Sequence, residues 1–258
     1  FNREESLRNF VFDFRVHGII FCTVLSILAG GIINQFYDQE KDQLTKPFRT
    51  RIQKFLKQKY FLYAYLTLNL ISLGTAFLIS PRVFFFFLIY QFLMWFYSHK
   101  LSKILIVNNL TFVSLTVYPF FGMWIYYKTF SAKIFLMAIF LFLILLMIDI
   151  IKDFLTKNAD KMFGYATIPN QLGNSVSKVI LGIISVLLMW ISTVIISKEG
   201  IHNIMNLYFA GGLLVLVFTI YLLLNPYKKS NFLVLNILRI WVFVGIIAML
   251  MDGIILRF

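Results

Sequence analysis

Residues 133–153 read KIFLMAIFLFLILLMIDIIKD: an unbroken apolar run from Ile134 to Ile148 that is closed by Asp149 and, four residues on, by Asp153. A half-buried strand would alternate apolar and polar residues with period 2, and an open sheet edge cannot face lipid. A continuous apolar run of this length therefore reads as a membrane-crossing helix. Seven further runs resemble it, so that eight spans are expected, at about 16–33, 60–79, 82–97, 104–127, 133–149, 178–197, 204–224 and 232–256, each near the ~20 residues that cross a bilayer. The 258 residues are 60% apolar, 18% aromatic and 14% charged, with a mean hydropathy of +0.83. Soluble domains carry about 25% charged residues, so this excess of apolar side chains has no single core to fill. The fold class is all-α, a polytopic transmembrane bundle. With no Pro/Ser/Gly-rich linker between the runs, residues 1–258 are expected to form one domain. Disordered, collagen-like and disulfide-stapled chains are excluded, and the lone Cys22 reads as a small packing residue.

The formal charge of +13 bears first on topology. Alternating spans put the loops 34–59, 98–103, 150–177 and 225–231 on one side, with most of the Lys and Arg; the opposite loops and the C-terminus hold only Arg82, Lys128, Lys133, Lys198 and Arg257. The basic side is expected to be cytoplasmic. The surplus is thus a membrane-topology signal, and no nucleic-acid partner is implied. Because the chain starts at Phe1 with no signal-peptide pattern, a further N-terminal segment is expected to precede it.

The acids carry the chemistry. Asn34, Asp38 and Asp42 recur every four residues after the first run, as Asp149 and Asp153 do at the end of the fifth, with Asp160 beyond. That spacing lines each set along one helical face, where like charges repel and lose solvation near the hydrocarbon boundary. Both ladders fall at the basic, cytoplasmic helix ends. Magnesium takes carboxylate and phosphate oxygens, so two facing ladders would hold a magnesium-bound diphosphate between them; the plain alternative is a pair of solvated, lysine-balanced loop clusters. The histidines, His17, His99 and His202, form no metal or triad pattern, and the Phe84–Phe87 run reads as lipid-facing packing.

The order of residues around these ladders resembles the UbiA superfamily of intramembrane prenyltransferases. Asn34-x3-Asp38-x3-Asp42 followed by Lys46-Pro47 is similar to its first signature, and Asp149-x3-Asp153-x6-Asp160-x3-Gly164-x2-Thr167-x-Pro169 to its second. Between them, Tyr97-Ser98-x2-Leu101-x-Lys103 with Asn108-Asn109 resembles the branch of digeranylgeranylglyceryl phosphate synthases and chlorophyll synthases. Gln35 and Thr156 stand where the signatures often have acids.

The resemblance implies a Mg2+-dependent enzyme that moves a polyprenyl group from an isoprenoid diphosphate to a hydrophobic acceptor, a glycerol-phosphate ether lipid or a quinone precursor. Its catalytic and metal-holding residues would be Asp38, Asp42, Asp149 and Asp153, with Asp160 as a further metal ligand. Asn34, Lys46, Arg49, Tyr97, Lys103 and Asn108 would contact substrate. Tyr37, Tyr97, Tyr118 and Trp124 are the aromatic faces that would shelter an allylic cation. It also implies a multi-pass protein of nine spans, one of them before Phe1, in a bacterial or archaeal-type plasma membrane, with a site that faces the cytoplasm. The rival readings are a transporter using interfacial acids and a catalytically weakened isoprenoid-binding relative.

Overall fold

The computed structural model describes residues 12–48, 58–127, 132–199, 203–225 and 230–255. All regular structure among them is helical. The helices are α1 (Phe14–Tyr37), α2 (Gln39–Thr45), α3 (Gln58–Ile79), α4 (Pro81–His99), a 3-10 turn (Leu101–Lys103), α5 (Val107–Tyr127), α6 (Ala132–Met162), α7 (Ile168–Gln171), α8 (Gly173–Glu199), α9 (Ile204–Leu224) and α10 (Ser230–Ile255). Eight of these match the eight expected runs. Six, α1, α3, α6, α8, α9 and α10, are long and apolar enough to cross a bilayer. The other two, α4 and α5, are of similar length but carry Arg82, Gln91 and His99, or Asn108, Asn109 and Pro119.

The chain divides into two compact units, Phe1–Thr129 with Met162–Tyr165, and Phe130–Lys161 with Ala166–Phe258. In the first, α1, α3 and α4 pack on one another and α5 packs on α4. The core joins Ile19 and Cys22 of α1, Ala76 of α3, Phe87 and Tyr90 of α4 and Leu115 of α5. A chain of polar groups crosses it. Gln91 donates to Ser26 (3.1 Å), Ser26 and Ser72 share a hydroxyl contact (3.1 Å), Ser72 reaches the Cys22 carbonyl (3.2 Å), and the Cys22 thiol reaches the Ser72 carbonyl (3.2 Å). One sense of donation, Gln91 to Ser26 to Ser72 to the backbone, satisfies these groups together and pins three helices to one register.

Pro119 lies inside α5. It has no N–H for the carbonyl of Leu115, four residues back. The Tyr90 hydroxyl of α4 donates to that carbonyl at 3.2 Å, which is how a proline inside a membrane helix is accommodated. The Tyr90 ring stacks on Tyr118 (4.8 Å, 2°), and Tyr118 stacks on Phe86 (4.5 Å). The α3–α4 joint is a single residue, Ser80, whose side chain accepts from the Val83 N–H while Pro81 opens the helix.

In the second unit, α8, α9 and α10 pack in sequence. Trp241 of α10 fits over Gly211 and Gly212 of α9, and Tyr208 of α9 over Gly245 of α10. The two rings stack at 4.8 Å. The longest helix is α6. At 1.5 Å per residue its 31 residues extend about 46 Å, well beyond a hydrocarbon core of about 30 Å. The expected end of this run at Asp149 is thus where the apolar stretch stops; the helix continues to Met162 and replaces much of the expected 150–177 loop. Gly164, with φ 72, follows its end.

Candidate active site

The first ladder survives a break in the helix. Asp38 caps α1 with φ −90 and ψ 8, yet backbone bonds join Asp38 to Asn34 (2.9 Å), Asp42 to Asp38 (2.8 Å) and Lys46 to Asp42 (2.8 Å). The i, i+4 register is kept through α2. Along it the Asn34 amide donates to Asp38 Oδ2 at 3.0 Å, and Lys46 Nζ meets Asp42 Oδ1 at 2.8 Å. Asp42 is buried, and Lys46, expected to contact substrate, here neutralises it. The middle motif is also drawn together, since the Tyr97 hydroxyl of α4 donates to Asn108 Oδ1 of α5 at 2.9 Å.

Tyr165 joins this group without having been singled out in the sequence. Its hydroxyl donates to Asp38 Oδ1 at 2.5 Å across a separation of 127 residues. Over its ring lie Lys41 Nζ, 4.1 Å from the centroid, and Lys103 Nζ, 5.3 Å from it. Lys41 sits within the ladder itself, but only the fold reveals its neighbour. Arg49 lies outside the described residues, and the side chain of Trp124 does as well.

The second ladder occupies one stripe of α6. Residues 149, 153, 156 and 160 follow at intervals of four, three and four, which keeps them on one face. Asp149, Asp153 and Asp160 are 3%, 4% and 0% exposed. Lys152 reaches Asp149 at 3.1 Å, and the Thr156 hydroxyl reaches Asp160 Oδ2 at 2.7 Å. Thr156, where the signature often has an acid, thus orients one. Just beyond, Thr167 opens α7, its N–H bonded to Asn170 Oδ1 at 3.0 Å.

Within each unit, among the described residues, no three His, Cys, Asp or Glu side chains close on one point. Their donor chemistry suits magnesium all the same, because that ion is bound by one or two carboxylates, retained waters and substrate phosphates rather than by an all-protein cage.

Helices of membrane-crossing length, with carboxylate ladders and lysines gathered at particular helix ends, define an integral multi-pass membrane protein. The chain matches the UbiA prenyltransferase family over residues 8–245 and belongs to that family; it is a prenyltransferase by class. The digeranylgeranylglyceryl phosphate synthase of Pyrococcus horikoshii is 28% identical over 87% of this chain and 80% of the relative. That of Thermococcus gammatolerans is 29% identical over 60% of this chain, an alignment that spans just over half (56%) of that relative. Among solved structures, one of a digeranylgeranylglyceryl phosphate synthase superposes with a TM-score of 0.72 at 19% identity, covering 93% of this chain and 86% of the other. A UbiA homologue from Archaeoglobus fulgidus bound to DMAPP and Mg2+ gives 0.71 at 13% identity, covering 99% and 90%. At these identities the structural likeness is one of fold.

Proposed function

We propose that this protein transfers a polyprenyl group from an isoprenoid diphosphate to a glycerol-phosphate lipid acceptor, with Asp38, Asp42, Asp149, Asp153 and Asp160 as the Mg2+-holding residues. A quinone precursor is the alternative acceptor. The observation that carries the reading is the burial of three carboxylates on one stripe of α6. Like charges so placed require a counter-charge, and a divalent ion that also binds phosphate supplies it. The curated relatives named digeranylgeranylglyceryl phosphate synthase and the relatives solved with DMAPP or GPP and Mg2+ support the same chemistry.

Bound magnesium would act as a Lewis acid that stabilises the charge developing on the departing diphosphate. The protein's own groups do the rest. Asn34 orients Asp38, Thr156 orients Asp160, and Lys46 and Lys152 offset part of the negative charge at Asp42 and Asp149. Lys103 would meet diphosphate oxygens as a point charge. We place the ladders at the cytoplasmic face, on the strength of the basic loops.

The test is mass spectrometry of the lipid formed when the purified protein is given magnesium, geranylgeranyl diphosphate and a panel of acceptors. A prenylated glycerol phosphate lipid is expected, and a prenylated aromatic acid would shift the assignment to the quinone branch. Asp38→Ala and Asp149→Ala should each abolish magnesium-dependent diphosphate release. If either variant retains wild-type release, the metal assignment is wrong.

A further inference from the structure

Arg239 is the one Lys or Arg that falls inside an expected span and away from its ends; Arg82, Lys133 and Lys178 each begin one. The candidate active site makes no use of it. The apolar stretch of α10 runs from Phe232 to Met251, between Asn231 and Asp252, and rises about 30 Å, the thickness of a hydrocarbon core. Arg239 lies about 10 Å in from the Phe232 end, roughly a third of the way across.

At 100° per residue, Phe232, Asn236, Arg239, Phe243, Ile246 and Leu250 form one stripe of α10. All are exposed except Asn236, which is half-buried. The opposite face holds the buried Val234 and Leu238, with Trp241 and Gly245, which meet α9. Arg239 thus stands on the side away from α9, among apolar side chains. A charge at that depth needs a counter-charge or water. Among the described residues, neither Arg239 nor Asn236 makes an ion pair or a side-chain hydrogen bond.

We infer that a membrane lipid supplies the counter-charge: Arg239, with Asn236, is the headgroup site for one anionic phospholipid in the leaflet at the Ser230 end of α10. Helical side chains lean toward the N-terminus of their helix, so the long stem of Arg239 leads back toward that boundary, where lipid phosphates lie. Asn236, one turn nearer the boundary on the same stripe, adds an amide donor along the path. A guanidinium grips phosphate with a two-pronged fork, and Phe232 and Phe243 offer apolar surface to the acyl chains beside it. This boundary is on the side that the basic loops mark as cytoplasmic, where anionic lipids concentrate. A second copy of the chain fits the same face poorly. A two-fold axis along the membrane normal would set Arg239 against Arg239, and Asp252, the acid of α10, lies about 20 Å further along the helix.

The test uses the full chain in neutral detergent, titrated with phosphatidylglycerol or phosphatidylcholine and followed by native mass spectrometry and thermal unfolding. Leu suits hydrocarbon, so Arg239→Leu is expected to fold, and its thermal midpoint without added lipid checks this. Wild type should bind one phosphatidylglycerol about tenfold more tightly than Arg239→Leu and about threefold more tightly than Asn236→Leu. Phosphatidylglycerol should raise the thermal midpoint of wild type but not of Arg239→Leu. Wild-type affinity in either variant overturns the inference, as does phosphatidylcholine binding as tightly as phosphatidylglycerol. Displacement of the lipid by millimolar inorganic phosphate would mark a site for free phosphate instead. A wild-type dimer that Arg239→Leu abolishes would mark a partner helix as the occupant, and either result sinks the lipid assignment.

Discussion

Replacing Tyr90 with Phe should destabilise the protein through a carbonyl on a different helix. The Leu115 oxygen loses its helical donor because Pro119 has no N–H, and the Tyr90 hydroxyl takes that place at 3.2 Å. Tyr90 is 1% and Leu115 5% exposed, so water has little access to either. Phe keeps the ring that stacks on Tyr118 at 4.8 Å, and the change is confined to one hydroxyl. A buried acceptor left without a donor costs about 1–3 kcal/mol, more than the average of about 0.6 kcal/mol for an interhelical hydrogen bond in a membrane protein. The larger figure applies here because α5 offers the carbonyl no substitute. The decisive comparison is a double-mutant cycle with Pro119→Ala, which restores the missing N–H. In that background Tyr90→Phe should cost only about the smaller amount, giving a coupling on the order of 1 kcal/mol. Reversible unfolding in mixed micelles, followed by circular dichroism, measures all four proteins. Equal costs of Tyr90→Phe with and without the proline would refute the account.

Three other perturbations have definite expected outcomes. Gly245→Ala would place a Cβ 2.8 Å from the Tyr208 ring, which is stacked on Trp241, so a loss of about 1–3 kcal/mol is expected by the same unfolding assay; Gly253→Ala in the same helix meets nothing within 4 Å and should be neutral or stabilising by up to about 1 kcal/mol. Ile106, a β-branched residue at φ 66, carries left-handed backbone strain of about 1–2 kcal/mol, and Ile106→Gly should raise the thermal midpoint once the added freedom of glycine, about 0.5–1 kcal/mol, is set against it. Thr156→Val removes the hydroxyl 2.7 Å from Asp160 and should raise the magnesium concentration needed for half-maximal diphosphate release about tenfold, while Thr156→Ser should restore it.

What the sequence made legible was whatever depends on neighbours along the chain. Apolar runs located all eight long helices, and four-residue spacing placed Asn34, Asp38 and Asp42, like Asp149 and Asp153, on common faces. Where a helix ends was less legible, because the signals for leaving the hydrocarbon and for ending a helix differ. Charge at Asp149 marks the first, whereas α6 continues through Lys152, Thr156 and Asp160, all of which helices tolerate, before the chain turns at Gly164. The polarity of α4 and α5 has the same physical root. Gln91 and Asn108 reduce the apolar character of their runs, but each has an internal partner, Ser26 or Tyr97, so the helices still form and pack.

The pairing of Tyr165 with Asp38 lay beyond any local pattern, since 127 residues separate them. Tyr165 also shows why the acids alone are an incomplete description of such a site. A row of carboxylates states that cations are needed but not which cations are to be consumed. Lys46 meets Asp42 directly, whereas Lys41 and Lys103 each lie over the Tyr165 ring.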